Sequence, residues 1–354
     1  MKYYDYVQKK GKIIVTSQQF MVQNIELHIT NACTGRCPYC YVATCNDGSG
    51  IKFGDFDKIK EIVERLGRSD VASISLLGGD PVLHPRFVDL IKLIRENGMG
   101  VVVMSNSMEV KGYDYGEVSK YIDEIATTIH GRNATEHDEF SCSPGAYEKL
   151  INNLKKFGDH GVPIDVAINI IPETYNNIYE MVSNLLTIGV KVRDLLTQRI
   201  LPYGRACNTT RWIASCEQVN VAFAQAVRCE EEFGIGIRVE DPYPFCEIET
   251  RFHKYMHGCP EGVNRIAMNM DGYFSRCGAD PNYSKYNIFD NTLDEVWNKS
   301  GMFQEFRDGT YLLQECLACQ YLRLCRGGCP IDCIQCNALR NNYIRTFHEG
   351  YPTE

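Results

Sequence analysis

The sequence lacks the features that mark membrane, secreted and nucleic-acid-binding proteins. It has no apolar run that approaches the ~18 residues of a membrane-spanning helix, and its first five residues carry no apolar signal core. Acidic residues outnumber basic ones, 45 to 37, and the net charge of -8 disfavours a surface for a phosphate backbone. There is no internal repeat, charge block or low-complexity tract. We therefore expect a cytoplasmic globular protein that binds neither a membrane nor a nucleic acid.

Cysteine, in contrast, is abundant, with 17 residues in a chain of 354. A small secreted domain would use such a number in disulfides, but these cysteines have the short spacings of metal ligands. The first group is Cys33, Cys37 and Cys40, in a C-x3-C-x2-C pattern. Three thiolates hold only three corners of a four-iron cluster, so one iron would stay open. The alternative interpretation of this motif is a zinc knuckle.

Hydrophobic patterning predicts alternating strands and helices from residue 24 to about residue 240. Strands are predicted at residues 24–30, 71–77, 100–105, 124–130, 163–171 and 192–200. Among the helices between them, Asp55 caps the first, Ser143-Pro144 opens a later one, and Ser215 forms a capping box with Gln218. Six strands interleaved with helices imply a parallel α/β sheet. The cysteine loop follows the first strand, and so belongs to the carboxyl edge where active sites collect.

The composition changes after residues 241–244. Nine cysteines follow between Cys246 and Cys336, separated by glycine-rich turns. We therefore divide the chain into an N-terminal arm or hairpin at residues 1–22, an α/β core at residues 23–240 and a cysteine-rich domain at residues 241–354.

The cysteine loop, with Tyr39 before its last cysteine, resembles that of the radical S-adenosylmethionine (SAM) superfamily. Two later motifs are also similar to superfamily motifs: Gly78-Gly79-Asp80-Pro81 resembles Gly-Gly-Glu-Pro, and Thr128-Ile129-His130-Gly131 resembles Ser-Ile-Asp-Gly. The resemblance implies a six-stranded partial (β/α)6 barrel and a 4Fe-4S cluster on Cys33, Cys37 and Cys40. The open iron would bind SAM, whose cleavage gives a 5′-deoxyadenosyl radical.

The same resemblance implies a set of cofactor-binding residues. Tyr39 would lie beside adenine, Thr128 near the SAM carboxylate or ribose, and Arg205 near the carboxylate. Arg205 is alternatively a solvated arginine in a glycine turn. The full expected set is Tyr39, Gly78, Gly79, Asp80, Ser105, Asn106, Thr128 and Arg205.

The cysteines of the C-terminal part resemble those of the SPASM domain, which carries auxiliary 4Fe-4S clusters. The resemblance implies a nearer auxiliary cluster on Cys259, Cys277 and Cys329, with an open iron or with Cys246 as its fourth ligand. It implies a second cluster on Cys316, Cys319, Cys325 and one downstream cysteine. For that last position we prefer Cys336 over Cys333, because its tether is longer. The alternative is a pair of structural zinc sites, each held by four cysteines.

Three residues are predicted to act on the substrate. His130 replaces the usual acid at the end of the fourth strand, and either lines the substrate cavity or is structural. Cys142 and Cys207, in loops at the barrel mouth, are candidates to donate hydrogen or to bind an intermediate, and are otherwise small buried residues. His137-Asp138 is interpreted as a loop anchor.

The reaction class implied by the resemblance is hydrogen abstraction from an unactivated carbon. Our leading hypothesis is maturation of a ribosomal peptide by crosslink, thioether or oxidation. The alternatives are a dehydrogenase or epimerase of a sugar or antibiotic intermediate, and a non-catalytic zinc- or cluster-bearing module. Expected partners are the peptide or small-molecule substrate and a flavodoxin- or ferredoxin-type electron donor. Only 32 residues precede Cys33, so a separate protein is expected to bind any leader peptide.

Overall fold

The structure is a computed structural model that describes residues 21–42, 50–110, 112–201, 204–206, 209–280, 283–309 and 311–330. The strands are β1 (Asn24–Thr30), β2 (Ser73–Gly78), β3 (Gly100–Met104), β4 (Glu124–Thr128), β5 (Ile164–Asn169), β6 (Val192–Gln198), β7 (Gly236–Val239), β8 (Arg265–Met268) and β9 (Phe274–Ser275). Across these ranges, no helix is both long and apolar enough to cross a membrane.

Helices alternate with the first seven strands and continue after β9. They are α1 (Phe56–Leu66), α2 (Phe87–Glu96), α3 (Tyr115–Val118), α4 (Ala134–Ser141), α5 (Ala146–Asp159), α6 (Ile178–Thr187), α7 (Cys216–Phe233), α8 (Gln304–Asp308), α9 (Gln314–Leu317) and α10 (Leu322–Cys325). Short 3-10 turns lie at Pro81–Leu83, Gly204–Ala206, Phe245–Glu247 and Thr250–Tyr255, and a π-turn at Glu295–Lys299.

All the strands named above belong to one sheet, in the order β7-β6-β5-β4-β3-β2-β1-β8-β9. Every neighbouring pair is parallel except β8 and β9. The six predicted strands, and the parallel α/β class, are confirmed. The sequence did not predict β7, β8 or β9. Since β8 pairs with β1, the sheet extends across residue 241 into the cysteine-rich region.

Two of the predicted helix starts are confirmed. The Asp55 carboxylate accepts a hydrogen bond from the backbone of Lys58 at 3.0 Å, and Ser215 and Gln218 form the reciprocal capping box of α7. The start at Ser143-Pro144 was wrong, because α5 begins at Ala146 after a left-handed Gly145.

A side chain distant in sequence explains that later start. Both oxygens of the Asp138 carboxylate, on α4, accept hydrogen bonds from the first amides of α5: Gly145 N at 2.5 Å and Tyr147 N at 2.8 Å. The helix is thus capped from a neighbouring helix rather than from Ser143. The interpretation of Asp138 as a loop anchor is confirmed.

Successive residues of each strand face opposite sides of the sheet. On β1, Ile25, Leu27 and Ile29 are fully buried in the main hydrophobic core beneath the helices. Glu26 and His28 therefore face the other, concave side. On that side a small apolar cluster forms, in which Ala126, Ala167 and Leu196 pack with Met104.

Below this cluster, near the amino ends of the strands, lies a buried group of charges. Arg193 contacts Glu124 at 2.6 Å, Asp165 at 2.8 Å and Asp194 at 3.4 Å. Arg238 adds contacts to Glu124 at 2.9 Å and to Asp165 at 3.1 Å. Such charges stay buried only because each has opposite partners at hydrogen-bond distance.

Replacing Arg193 by Met should therefore destabilise the fold, by about 3 kcal/mol, because it leaves the buried carboxylates of Glu124 and Asp165 with only one of their two arginine partners. The matched control is Lys191→Met, which removes an exposed ion pair to Asp159 at 2.9 Å and should destabilise the fold far less, because water screens the pair. Urea unfolding followed by circular dichroism measures both. Equal urea midpoints for the two variants would show that Arg193 stabilises the fold no more than the exposed ion pair does.

Candidate functional site

The cysteine loop begins at the carboxyl end of β1 and is anchored to the loop that follows β2. Gly79 N donates to Thr30 O at 2.8 Å, and Asp80 N donates to Ala32 O at 2.7 Å. The Thr30 hydroxyl also accepts a hydrogen bond from Ala32 N at 2.9 Å. These bonds fix the backbone immediately before Cys33.

Glycine is required in the β2 loop by this contact between two backbones. A Cβ on Gly78 would lie 2.1 Å from Thr30 O, and one on Gly79 would lie 2.2 Å from Ala32 O. Gly78 also has φ +136°, which side chains disfavour. From the sequence, we expected these glycines to let a ligand approach the backbone closely. In the structure, the atoms closest to them are backbone atoms just before the cysteine loop.

The sulfur of Cys33 receives two N–H donors. One is Gly35 N at 3.3 Å, and the other is Asn106 Nδ2, at the end of β3, at 3.4 Å. Burial raises the pKa of Cys33 above its usual range, with Asp80 adding to the rise, and burial raises that of Cys37 to about 11. Iron would favour the thiolates, and the N–H donors suit a thiolate sulfur, so the donor set fits a cluster.

Asp80 and Ser105 lie beneath the β2 loop as buried supports. The Asp80 carboxyl accepts a hydrogen bond from Ser105 Oγ at 2.7 Å, and Ser105 Oγ accepts one from Ser107 N at 2.8 Å. Burial raises the pKa of Asp80 to about 7. Both side chains were expected at the cofactor, but the structure uses them to hold the loops that follow β2 and β3.

Tyr39 lies in a cluster of aromatic rings. Its hydroxyl forms a hydrogen bond with His130 Nε2 at 3.2 Å, and the His130 ring stacks on Phe140 with centroids 5.2 Å apart. His130 N in turn donates to His137 Nδ1 at 3.2 Å. Burial, and the neighbouring His137, hold the pKa of His130 well below its usual value, so the ring is neutral.

The position of His130 favours the structural one of its two interpretations. It is only 8% exposed, and it contacts Tyr39 and other rings of the cluster. These contacts can position Tyr39. Thr128, the last residue of β4, is half-buried at the same edge of the sheet.

Arg205 contacts the other end of the cysteine loop. Its Nη1 donates to Cys37 O at 3.1 Å, and its backbone N donates to Cys40 O at 3.0 Å. Gly204, at φ +52°, allows this approach, since a Cβ there would lie 2.3 Å from Cys40 O. Within the part of the chain that the structure describes, the buried Arg205 Nη2 has no hydrogen-bond partner, which fits an anionic group such as a carboxylate.

Cys142 lies at the rim of the site with an exposed thiol. It ends α4 in the left-handed conformation, at φ 52°, and the preceding Ser141 O accepts a hydrogen bond from Arg36 N at 3.3 Å. The thiol is therefore next to the cysteine loop and open to solvent. Cys207 lies outside the described residues.

The C-terminal cysteines separate into two sets. Burial raises the pKa of Cys259, with Cys329 as the next cause. It also raises that of Cys277, where Glu261, Glu26 and then Cys259 supply the neighbouring charges. The charge of Cys329 thus acts on Cys259, and that of Cys259 acts on Cys277, as expected if the three are neighbours.

Cys246 lies with the other set. Partial burial raises its pKa to about 11, and after Glu247 the charges that add to this rise are those of Cys325 and Cys316. The adjacent Phe245 N donates to Cys325 Sγ at 3.3 Å. This contact favours the set of Cys325 for Cys246 over that of Cys259, because the Phe245–Glu247 turn packs against α10. Cys333 and Cys336 lie outside the described residues.

A groove of about 990 Å³ opens beside Cys246, between α6, α7 and the Phe245–Glu247 turn. Cys216, the first residue of α7, lines the same groove. Among the predicted site residues within the described ranges, only Cys246 borders it.

Tyr41, just after the cysteine loop, links the first site to the nearer auxiliary set. Burial raises its pKa well above the usual value, and the charges that add to this are Glu26, Cys40 and Cys277. The sequence prediction did not include Tyr41, although its place next to Cys40 was a usable signal. It also missed Phe140, which no local pattern marks.

Comparisons with known proteins agree with this arrangement. Residues 27–185 match the model of the radical SAM superfamily, and residues 259–320 match that of an iron–sulfur cluster-binding domain, SPASM. The chain is 21% identical to an AdoMet-dependent heme synthase of Methanosarcina barkeri, over 86% of this chain and 90% of the relative.

Two further proteins are similar over most of their length. A PqqA peptide cyclase of Rhizobium meliloti is 23% identical, over 85% of this chain and 80% of the relative. The crystal structure of Streptococcus suis SuiB bound to precursor peptide SuiA is similar with a TM-score of 0.73 and 17% identity, covering 92% of this chain and 74% of that one.

Gly79→Ala should displace the cysteine loop, because its methyl group would meet the fixed Ala32 carbonyl. We expect anaerobically prepared protein to lose about four irons per chain, the content of one cluster. The control is Gly158→Ala in α5, where the nearest atom to the new methyl, Ile164 Cδ1, is 3.3 Å away and alanine favours the helix. If Gly79→Ala kept its full iron content, the close contact between Gly79 and the Ala32 carbonyl would not be required for binding the cluster.

Proposed function

The chain is a radical SAM protein with a C-terminal SPASM domain, and on this premise we propose that it modifies a ribosomally made peptide. The modification is a crosslink, a thioether or another net oxidation at a carbon atom. The alternative substrate is a small molecule such as a sugar or an antibiotic intermediate.

Cys33, Cys37 and Cys40 would hold the SAM-binding cluster. When bound there, the cluster supplies the electron that cleaves SAM into the radical that removes hydrogen from the substrate. Asn106 donates to the Cys33 sulfur, and Gly78 and Gly79 fix the start of the loop. A flavodoxin- or ferredoxin-type protein is the proposed electron donor.

Other residues of this chain would orient SAM. Arg205 has one buried nitrogen with no hydrogen-bond partner in the described residues, and a guanidinium can bind a carboxylate through two nitrogens. Tyr39 would lie beside adenine, held by its hydrogen bond to a neutral His130. Thr128 would contact the carboxylate or ribose from the end of β4.

The observation that carries the proposal is that the charges of both Cys40, in the cysteine loop, and Cys277, in the nearer auxiliary set, raise the pKa of Tyr41. We infer from it that the two sets of cysteines lie near each other. An auxiliary cluster held by Cys277 could accept the electron left after hydrogen removal, which would make the net reaction an oxidation. The direction agrees with crosslink or thioether formation.

The peptide substrate is supported by two relatives of similar architecture. One is named for cyclising the PqqA peptide, and the other was crystallised with its precursor peptide. Both are less than 25% identical to this chain, so they support the class of substrate and not its sequence.

For the second auxiliary cluster we propose Cys246, Cys316, Cys319 and Cys325. Cys246 lies beside two of these cysteines, and the backbone next to it donates to the sulfur of Cys325. This assignment replaces a downstream ligand, Cys336 or Cys333, by one from the start of the C-terminal region.

The experiment for the function uses reduced, reconstituted protein with SAM and short precursor peptides encoded near the gene. We expect 5′-deoxyadenosine together with a peptide whose mass falls by the hydrogens removed. The triple variant Cys33→Ala, Cys37→Ala, Cys40→Ala should form neither product. Turnover of sugars with no change in any peptide would favour the small-molecule alternative.

Cys246→Ser should lower the iron content by up to about four per chain, as one cluster is weakened. Cys216→Ser is the control, because Cys216 lines the same groove without being a proposed ligand. Cleavage of SAM without substrate should persist in both variants. If Cys246→Ser kept its full iron content and Cys336→Ser lost iron, the fourth ligand of the second auxiliary cluster would be Cys336 and not Cys246.

A further inference from the structure

A buried carboxylate, Glu261, and a partly buried one, Glu26, lie beside Cys277 of the nearer auxiliary set. One oxygen each from Glu26 and Glu261, and the sulfur of Cys277, all lie within 4.8 Å of one another. Glu26 comes from the inner face of β1, and Glu261 follows Cys259 by two residues. Two separate segments of the chain thus bring oxygen donors to a proposed iron ligand.

The two carboxylates differ in what their oxygens contact. Glu26 Oε2 accepts a hydrogen bond from Gly278 N at 2.8 Å, and Glu26 Oε1 lies 3.4 Å from Arg265 Nη1. Both oxygens of Glu26 are therefore engaged inside the protein.

Glu261 has one engaged oxygen and one open oxygen. Its Oε1 accepts a hydrogen bond from Arg265 Nε at 2.6 Å. Its Oε2 is buried, in a residue only 2% exposed, and has no hydrogen-bond partner in the described part of the chain. A carboxylate oxygen buried without a donor is costly, so it calls for a ligand.

The count of cysteines leaves a place for this oxygen. Cys259, Cys277 and Cys329 supply three ligands, whereas a four-iron cluster usually takes four. Cys246 follows Phe245, whose backbone N donates to Cys325 Sγ at 3.3 Å, and so belongs to the other set. In the described residues the nearer set therefore has three predicted cysteine ligands, and a Glu261 oxygen lies within 4.8 Å of one of them, Cys277.

We propose that Glu261 Oε2 is the fourth ligand of the nearer auxiliary cluster. Arg265 orients the carboxylate through the other oxygen, as outer contacts orient metal ligands generally. The inference rests on the auxiliary cluster of the proposed function.

An oxygen ligand gives that one iron a distinct chemistry. Thiolates are the soft ligands that suit iron–sulfur clusters, and a carboxylate is a harder donor. Glu261 would therefore hold the iron most easily lost on oxidation, and its loss would leave a three-iron cluster. Glu261 would also be the protein ligand that a substrate donor could replace most readily.

The test is made in full-length protein that carries Cys33→Ala, Cys37→Ala and Cys40→Ala, so that the SAM-binding cluster does not contribute. Iron content, the EPR signal of a three-iron cluster after mild oxidation, and reduction potentials are measured. In Glu261→Gln we expect loss of about one iron per chain and a stronger three-iron signal than in the parent. Glu261→Cys should keep all the iron and shift one potential.

Glu26→Gln is the matched control, because its amide oxygen can still accept the Gly278 hydrogen bond, and it should behave like the parent. The inference is overturned if Glu261→Gln has the same iron content, three-iron EPR signal and reduction potentials as the parent. Loss of iron that Glu261→Cys does not restore also overturns it, since Glu261 then acts only by pairing with Arg265. A different result would be iron content that Cys259→Ser leaves unchanged. It would show that the nearer auxiliary cluster is absent, and so would contradict the auxiliary cluster of the proposed function rather than the role of Glu261.

Discussion

The site depends on the contact between two stretches of backbone, the one leaving β1 and the one leaving β2. Gly78 and Gly79 have no side chains, and their amides and α-carbons lie directly against Thr30 and Ala32. That contact sets where the chain turns towards Cys33. The support from Asp80, Ser105 and Asn106 works only because the backbones are already this close. The geometry of the cysteines therefore depends on a pair of glycines that lies outside the cysteine loop.

Some residues around the first site contact the cysteine loop directly. Others contact it only indirectly, through the residues to which they are hydrogen-bonded. Asn106 and Arg205 contact it directly. Ser105 and His130 act through others, the first through Asp80 and the second through Tyr39. His130 is neutral because it is buried, so it can hold the tyrosine hydroxyl without adding a charge beside the cluster. The polar residues at the carboxyl edge are thus mostly structural, and the opening towards the substrate is left to the loops.

Local patterns were enough for the six main strands and for the capping box of α7, since both depend on residues close in sequence. They failed where the deciding partner is distant. Asp138 caps α5 from another helix, and Cys246 meets Cys325 only after the chain has folded back. Glu261 carries no motif at all; its importance comes from the unpartnered oxygen and from a neighbour on β1. Spacing identifies ligands that share a loop, and it does not identify those that converge from separate segments.

The pairing of β8 with β1 has a consequence for how the chain is made. During synthesis β1 emerges early, and β2 soon covers one of its edges. The other edge keeps its amides and carbonyls unpaired until Arg265–Met268 have left the ribosome. An open edge of this kind pairs readily with other chains. The nascent protein therefore passes through a long interval in which one edge of β1 is uncovered and can pair with other chains.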